Sequence, residues 1–177
     1  MPLSTFISFQ TLIVLSHFSI DFSEKTPEES IIFYFLELSN LLKTNGDRIT
    51  LQYGITTQQW LLLLHLAHDP NIPYFERVPP QKPLMASDLA KSLNVSRPNI
   101  SSLLNVLFDK QLITTNIDPN DKRKRYLTLS PKGQEIIDAI NPGRKTTNQW
   151  LFEGISNEEK EILLKSMRII GRKMLGE

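Results

Sequence analysis

A mainly helical α+β fold with one small β-hairpin is the class this sequence predicts, on three observations. Two helical patterns, Met85 to Leu93 and Ser96 to Lys110, are separated only by Asn94 and Val95, the spacing of a helix-turn-helix. Two runs rich in Ile, Thr, Tyr and Leu follow, Leu112 to Ile117 and Lys124 to Leu129, with the turn formers Asp118-Pro119-Asn120-Asp121 between them, which predicts a β-hairpin. Long apolar stripes at helical spacing flank this centre on both sides. A tight helix pair followed by a basic two-stranded hairpin is a winged helix-turn-helix, here with N- and C-terminal dimerisation helices.

The first helix begins at Thr26-Pro27-Glu28-Glu29, a hydroxyl cap, a proline at the first helical position and a glutamate three residues on. It is expected to end near Asn45-Gly46. Ile31, Phe35, Leu38 and Leu42 recur at helical spacing, and Ile32, Leu36 and Leu41 widen the stripe beyond what one small domain covers. Thr56-x-x-Gln59 caps a second helix from Trp60 to His68, apolar nearly all round and therefore central. Asp69 to Pro83 holds five of the eleven prolines, so it reads as a loop. After the hairpin, Ser130-Pro131 restarts a helix to about Ile140. Asn141-Pro142-Gly143 is expected to interrupt it before it resumes to about Glu153. A capping box at Ser156-x-x-Glu159 opens the last helix, whose Ile162, Leu163, Met167, Ile169 and Ile170 offer an apolar face.

The expected organisation is an apolar extension over 1–25, dimerisation helices over 26–50 and 142–177, and a winged-helix domain over 51–141 with a proline-rich insertion at 69–83. The chain has 177 residues, 40% hydrophobic and 22% charged, a balance that excludes a wholly disordered chain and a large multidomain enzyme. Lys and Arg number 20 against 19 Asp and Glu, so attraction to nucleic acid depends on where the charges sit. Residues 1 to 50 carry three basic and six acidic groups, whereas 87 to 133 carry eight basic and four acidic. The middle of the chain is the cationic part.

The absence of cysteine removes disulfides, thiolate zinc sites and thiol redox sensing, and fits a cytoplasmic address. Met1 to Ile20 contains no Lys or Arg, eight polar residues and no apolar run longer than Leu12 to Leu15, too short and too wet for a membrane span. The Asn-x-Ser matches at Asn94 and Asn99 are accordingly not read as glycosylation sites.

On the second helix of the pair, Ile100, Leu103, Leu104 and Leu107 form one face and leave Pro98, Ser101, Ser102 and Asn105 on the other. Short polar side chains let a helix approach base edges in the major groove of double-stranded DNA. Ser96 is the expected cap, with Arg97 and Asn99 just inside it, where helix-start amides meet a phosphate. Lys122, Arg123 and Lys124 stand at the hairpin tip and return strand, where a guanidinium enters the minor groove and a lysine meets a phosphate. Asp118 and Asp121 oppose DNA unless at least one of them orients a neighbouring cation.

Leu89 to Arg97, Leu107 to Ile113, Asp118-Pro119-Asn120-Asp121-Lys122-Arg123 and Leu127 to Gly133 together resemble the MarR family of bacterial transcription regulators, in helix order over roughly residues 28 to 175. The resemblance implies a homodimer whose first and last helices interlock on a short palindromic operator, often a repressor released by a small phenolic ligand. It places Arg123 on the family's wing arginine, Asp121 on its partner, and Ser96, Arg97, Asn99 and Ser102 on the recognition helix. Three features depart from it. Gln111 stands where the family has a glycine, Met85 and Ala86 where a Ser or Thr caps the preceding helix, and the insertion and first twenty residues lie outside the pattern.

Other functions are weighed against this. No Gly-x-Ser-x-Gly turn, phosphate-binding glycine loop or His-Glu-x-x-His is present, so an enzyme is not expected. His65 and His68, with Asp69 adjacent, offer two or three metal ligands, and equally suit the negative end of a helix dipole; no metal and no cofactor is assigned. The alternative is a winged helix that contacts protein and no longer DNA, for which a neutral or acidic wing is expected. Phe33, Tyr34, Tyr53, Trp60 and His65 either line a cleft for a small aromatic effector or are plain core.

Overall fold

The computed structural model describes residues 25–79 and 82–177; the apolar extension, apart from Lys25, lies outside them. Local capping signals in the sequence set the starts of most of the helices. Helix α1 (Pro27–Thr50) starts where the Thr26 hydroxyl accepts the Glu29 amide at 3.3 Å. A 3-10 turn, Leu51–Tyr53, follows. Helix α2 (Thr57–Leu66) opens on the full Thr56–Gln59 box, with bonds of 3.0 and 3.3 Å. Helices α3 (Ala86–Ser92) and α4 (Arg97–Asp109), strands β1 (Ile113–Ile117) and β2 (Arg125–Leu129), and helices α5 (Pro131–Leu151) and α6 (Asn157–Leu175) complete the order. The class is the expected one: mainly α with a two-stranded antiparallel wing.

The described residues divide into two units, one ending at Thr44 and the other spanning Asn45–Glu177. In the first, the α1 residues Ile31, Ile32, Phe33, Tyr34, Leu36, Leu38, Leu41 and Leu42 are all exposed. In the second, Leu62 and Leu63 of α2, Leu89 of α3, Leu107 of α4 and Leu112 are buried to 1% exposure or less and form the centre of one apolar core. On β1 and β2, Ile113 faces Leu129 and Ile117 faces Arg125. Leu84 adds a third, one-residue rung: its carbonyl accepts the Leu127 amide at 2.8 Å, which ties the end of the insertion to the wing.

Two expected boundaries are corrected. Helix α1 does not stop at Gly46. A Cβ there would lie 2.5 Å from Thr57 Oγ1, so this glycine serves the close approach of α1 to the start of α2, and the next residue, Asp47, accepts the Thr57 amide at 2.7 Å. The helical path ends instead at Gly54, whose φ of +71° suits a residue without Cβ. Nor is α5 interrupted at Asn141-Pro142-Gly143. Pro142 and Gly143 are exposed, and anchors on both sides hold the helix through its missing hydrogen bond: Ile137 and Ile140 in the core, and Arg144, which pairs with Asp69 at 2.5 Å. The loop predicted at 69–83 is also more ordered, over its described residues 69–79, than its composition suggests. It contains a 3-10 turn, Pro73–Glu76, and Ile72, Tyr74 and Phe75 pack on the core.

Candidate nucleic-acid interface

Helix α4 is amphipathic in the expected sense. Ile100, Leu104 and Leu107 are buried, Leu103 is half-buried, and Ser96, Arg97, Pro98, Asn99, Ser101, Ser102 and Asn105 are exposed. Ser96 caps the helix by accepting the Asn99 amide at 3.4 Å. The Ser101 hydroxyl donates to the Arg97 carbonyl at 2.9 Å. The turn before α4 passes through Asn94 at φ +51°, a conformation asparagine tolerates, and the Val95 amide bonds back to Ala90 at 3.0 Å.

The two departures around this unit are compensated. Gln111 adopts the left-handed conformation at φ +60° and its amide reaches Phe108 O at 2.8 Å, so the turn is preserved at a cost in strain. The Ser130 hydroxyl then donates to Gln111 O at 2.8 Å while accepting the Gly133 amide at 3.0 Å, joining the end of α4 to the start of α5. In α3, Met85 has no hydroxyl to accept the Asp88 amide, which bonds to the Met85 carbonyl at 3.0 Å, and the Asp88 carboxylate supplies the reciprocal half of the cap by accepting the Met85 amide at 2.9 Å.

The wing loop is organised by its two aspartates in different ways. Asp118 accepts the amides of Asn120 and Asp121 at 2.7 and 3.1 Å and the Tyr126 hydroxyl at 2.9 Å. The amide bond from Asn120, then that hydroxyl, hold its carboxyl below the usual carboxylate range. It shapes the backbone and pairs with no Arg or Lys side chain among the described residues. Asp121 accepts both the amide and the Nε of Arg123, at 3.1 and 3.3 Å, yet the Arg123 side chain stays 93% exposed. Lys122, Lys124 and Arg125 are exposed beside it.

Only part of the expected ligand cluster comes together. Trp60 and His65 line a cavity of about 370 Å³. Its other walls are the insertion, through Ile72, Tyr74 and Arg77, together with Leu93 and Arg144, none of which sequence reasoning named; the helical spacing of Arg144 was hidden by the supposed break at Pro142. Arg144 lies over the Trp60 ring, 5.7 Å from its centroid, and the Trp60 Nε1–H is buried without an acceptor among the described residues. Tyr53 is not in the wall, and its hydroxyl donates to Ala139 O at 3.3 Å. Phe33 and Tyr34 are 68% and 60% exposed on α1. Both histidines are engaged in hydrogen bonds, His65 with Leu61 O and Ser92 and His68 with Leu66 O and Lys82 O, and no cluster of three metal-ligating residues occurs among the described residues. Nor is any helix among them long and apolar enough to cross a membrane.

Residues 53–124 match the model of the MarR family. The chain is 26% identical over 139 residues to the HTH-type transcriptional regulator FarR of Neisseria gonorrhoeae, covering 78% of this chain and 86% of that protein. It is also 26% identical over 110 residues to the transcriptional activatory protein BadR of Rhodopseudomonas palustris, covering 62% and 58% respectively. Among solved structures, the S. aureus MepR–DNA complex superposes with a TM-score of 0.68 at 25% identity, covering 84% of this chain and 99% of that one.

Proposed function

We propose that this chain is a MarR-type winged helix-turn-helix transcription regulator, a reading supported by its match to the MarR family model over residues 53–124 and by its likeness to FarR and MepR, and that it binds double-stranded DNA sequence-specifically, as a homodimer on a short palindromic operator. The observation that carries the proposal is the coincidence of an exposed short-chain polar face on α4 with a basic, aspartate-organised wing. The first reads base edges and the second meets the backbone and minor groove. The MepR structure is of a complex with DNA, which supports the same use of the same elements here.

Helices at 26–50 and 142–177 form the dimer and residues 51–141 the DNA-binding domain. The protein acts as a repressor, and a small aromatic acid in the cavity under the insertion releases it: the Trp60 face offers stacking and Arg77 a charge partner. Selection of bound duplexes from a random pool tests the central claim. An enriched inverted repeat is expected. Recovery of no sequence above background would overturn it in favour of a winged helix that contacts protein.

A further inference from the structure

The insertion is fastened to three helices by three ion pairs. At its start Asp69 pairs with Arg144 of α5 at 2.5 Å. In its middle the Glu76 carboxylate accepts Nε and Nη2 of Arg168 of α6, at 3.2 and 2.9 Å, a two-pronged contact that fixes direction as well as distance. Near its end Lys82 donates to Asp88 of α3 at 2.7 Å, and the Tyr74 hydroxyl donates to the same carboxylate at 3.2 Å. The Asp88 carboxylate also accepts the Met85 amide at the start of α3. Prolines at both ends restrict the segment's backbone, and Phe75 stacks on His68 with ring centroids 5.1 Å apart.

We propose that the insertion, through its described residues 69–79 and Lys82, is a brace that sets the attitude of the helix-turn-helix against α5 and α6, with Tyr74 and Lys82 as positioning residues for DNA reading. The inference rests on the DNA-binding role of α4. Burial opposes ionisation of Asp88, and the bonds from Lys82, the Met85 amide and Tyr74 outweigh it, so the carboxyl is held below its usual range. The carboxylate that ends the brace thus also starts α3. A shift of α3 passes to α4 through the short turn between them.

The test uses the full chain, the selected operator duplex and a scrambled duplex, followed by fluorescence anisotropy. Lys82→Met is expected to weaken operator binding about tenfold and scrambled binding less than twofold, and Lys82→Arg to restore it. Arg168→Met, at the other end, is expected to weaken operator binding several-fold. In its background Lys82→Met should then cost much less, because the brace is already released. Substitutions at independent sites multiply instead. Multiplicative losses, or equal losses on both duplexes, would overturn the brace. Amide exchange provides a readout independent of DNA: Arg168→Met should speed exchange across residues 86–92. Unchanged exchange there also overturns the brace, whereas faster exchange in a protein that binds neither duplex upholds it and sinks the DNA-binding reading alone.

Discussion

The Ser92 hydroxyl donates a 2.7 Å hydrogen bond to Nε2 of His65, joining the last residue of α3 to the buried helix α2. The opposite ring nitrogen lies 2.6 Å from the Leu61 carbonyl, which can only accept, so Nδ1 carries the proton and Nε2 offers its lone pair. His65 is 3% exposed. Burial lowers its pKa against the raising effect of the Leu61 bond. The folded ring is therefore neutral where the unfolded one is protonated.

Stability is expected to fall as pH drops through the ordinary imidazole range, because the unfolded chain then binds the extra proton. The loss continues until the folded ring also protonates. Urea unfolding between pH 7.5 and 5, where the carboxylates stay ionised, measures it, and His65→Phe should flatten the dependence. Ser92→Ala should cost about 1 kcal/mol at neutral pH by leaving Nε2 unpaired. An unchanged slope in His65→Phe would assign the dependence to other groups.

Gln111 and Gly133 make opposite predictions at neighbouring turns. Gln111 sits at φ +60°, so Gln111→Gly is expected to stabilise the fold by about 0.5–1 kcal/mol through relief of left-handed strain. At Gly133 a Cβ would collide with the Leu112 carbonyl oxygen and stand 2.8 Å from Leu129 Cδ1. Gly133→Ala should cost about 2–3 kcal/mol, since backbone cannot give way as a side-chain tip does. Thermal melts of the two variants decide both.

Local chemistry was legible in the sequence and distant chemistry was not. The caps at Thr26, Thr56, Ser96, Ser130 and Ser156 all form, because a cap is settled within four residues. The two wing strands followed from their β-rich runs and the turn residues between them. Gly46 and Pro142 were misread because their surroundings come from elsewhere: Thr57 beside the first, and Asp69, 75 residues from Arg144, holding the helix beyond the second. For the same reason the brace was invisible, since Glu76 and Arg168 are 92 residues apart. Trp60 and His65 were found by their aromatic character on a central helix, whereas Tyr53 shares that character and lies outside the cavity wall.

The dimer proposal predicts a defined sensitivity. On α6, Ile162, Leu163, Met167 and Ile169 are between 40% and 58% exposed, and a soluble monomer rarely leaves such a stripe bare. Ile170, expected on that face, is only half-buried in its own chain. Leu163→Glu with Ile169→Glu should convert the protein to monomer, and truncation after Asn157 should do the same, by multi-angle light scattering. A stable dimer after truncation would remove α6 from the interface.

Recognition helix and wing are separable by what their loss does to specificity. Asn99 and Ser102 are proposed to meet base edges, where a good contact discriminates by about 1–3 kcal/mol, so Asn99→Ala or Ser102→Ala should relax preference at particular operator positions and leave nonspecific affinity nearly unchanged. Arg123, with its side chain 93% exposed at the hairpin tip, is proposed to act through charge and groove width. Its replacement by Ala should weaken all sequences together, and the loss of one contact per protomer should flatten the plot of log affinity against log salt by roughly two units. Asp121 holds the Arg123 amide and Nε; if it orients the guanidinium, Asp121→Ala weakens binding, and if it only repels phosphate, the same change strengthens it. Isotherms for the wild type and these four variants at several salt concentrations give all the slopes. Normal affinity and a normal slope for Arg123→Ala, with the fold intact by circular dichroism, would take the wing out of DNA recognition.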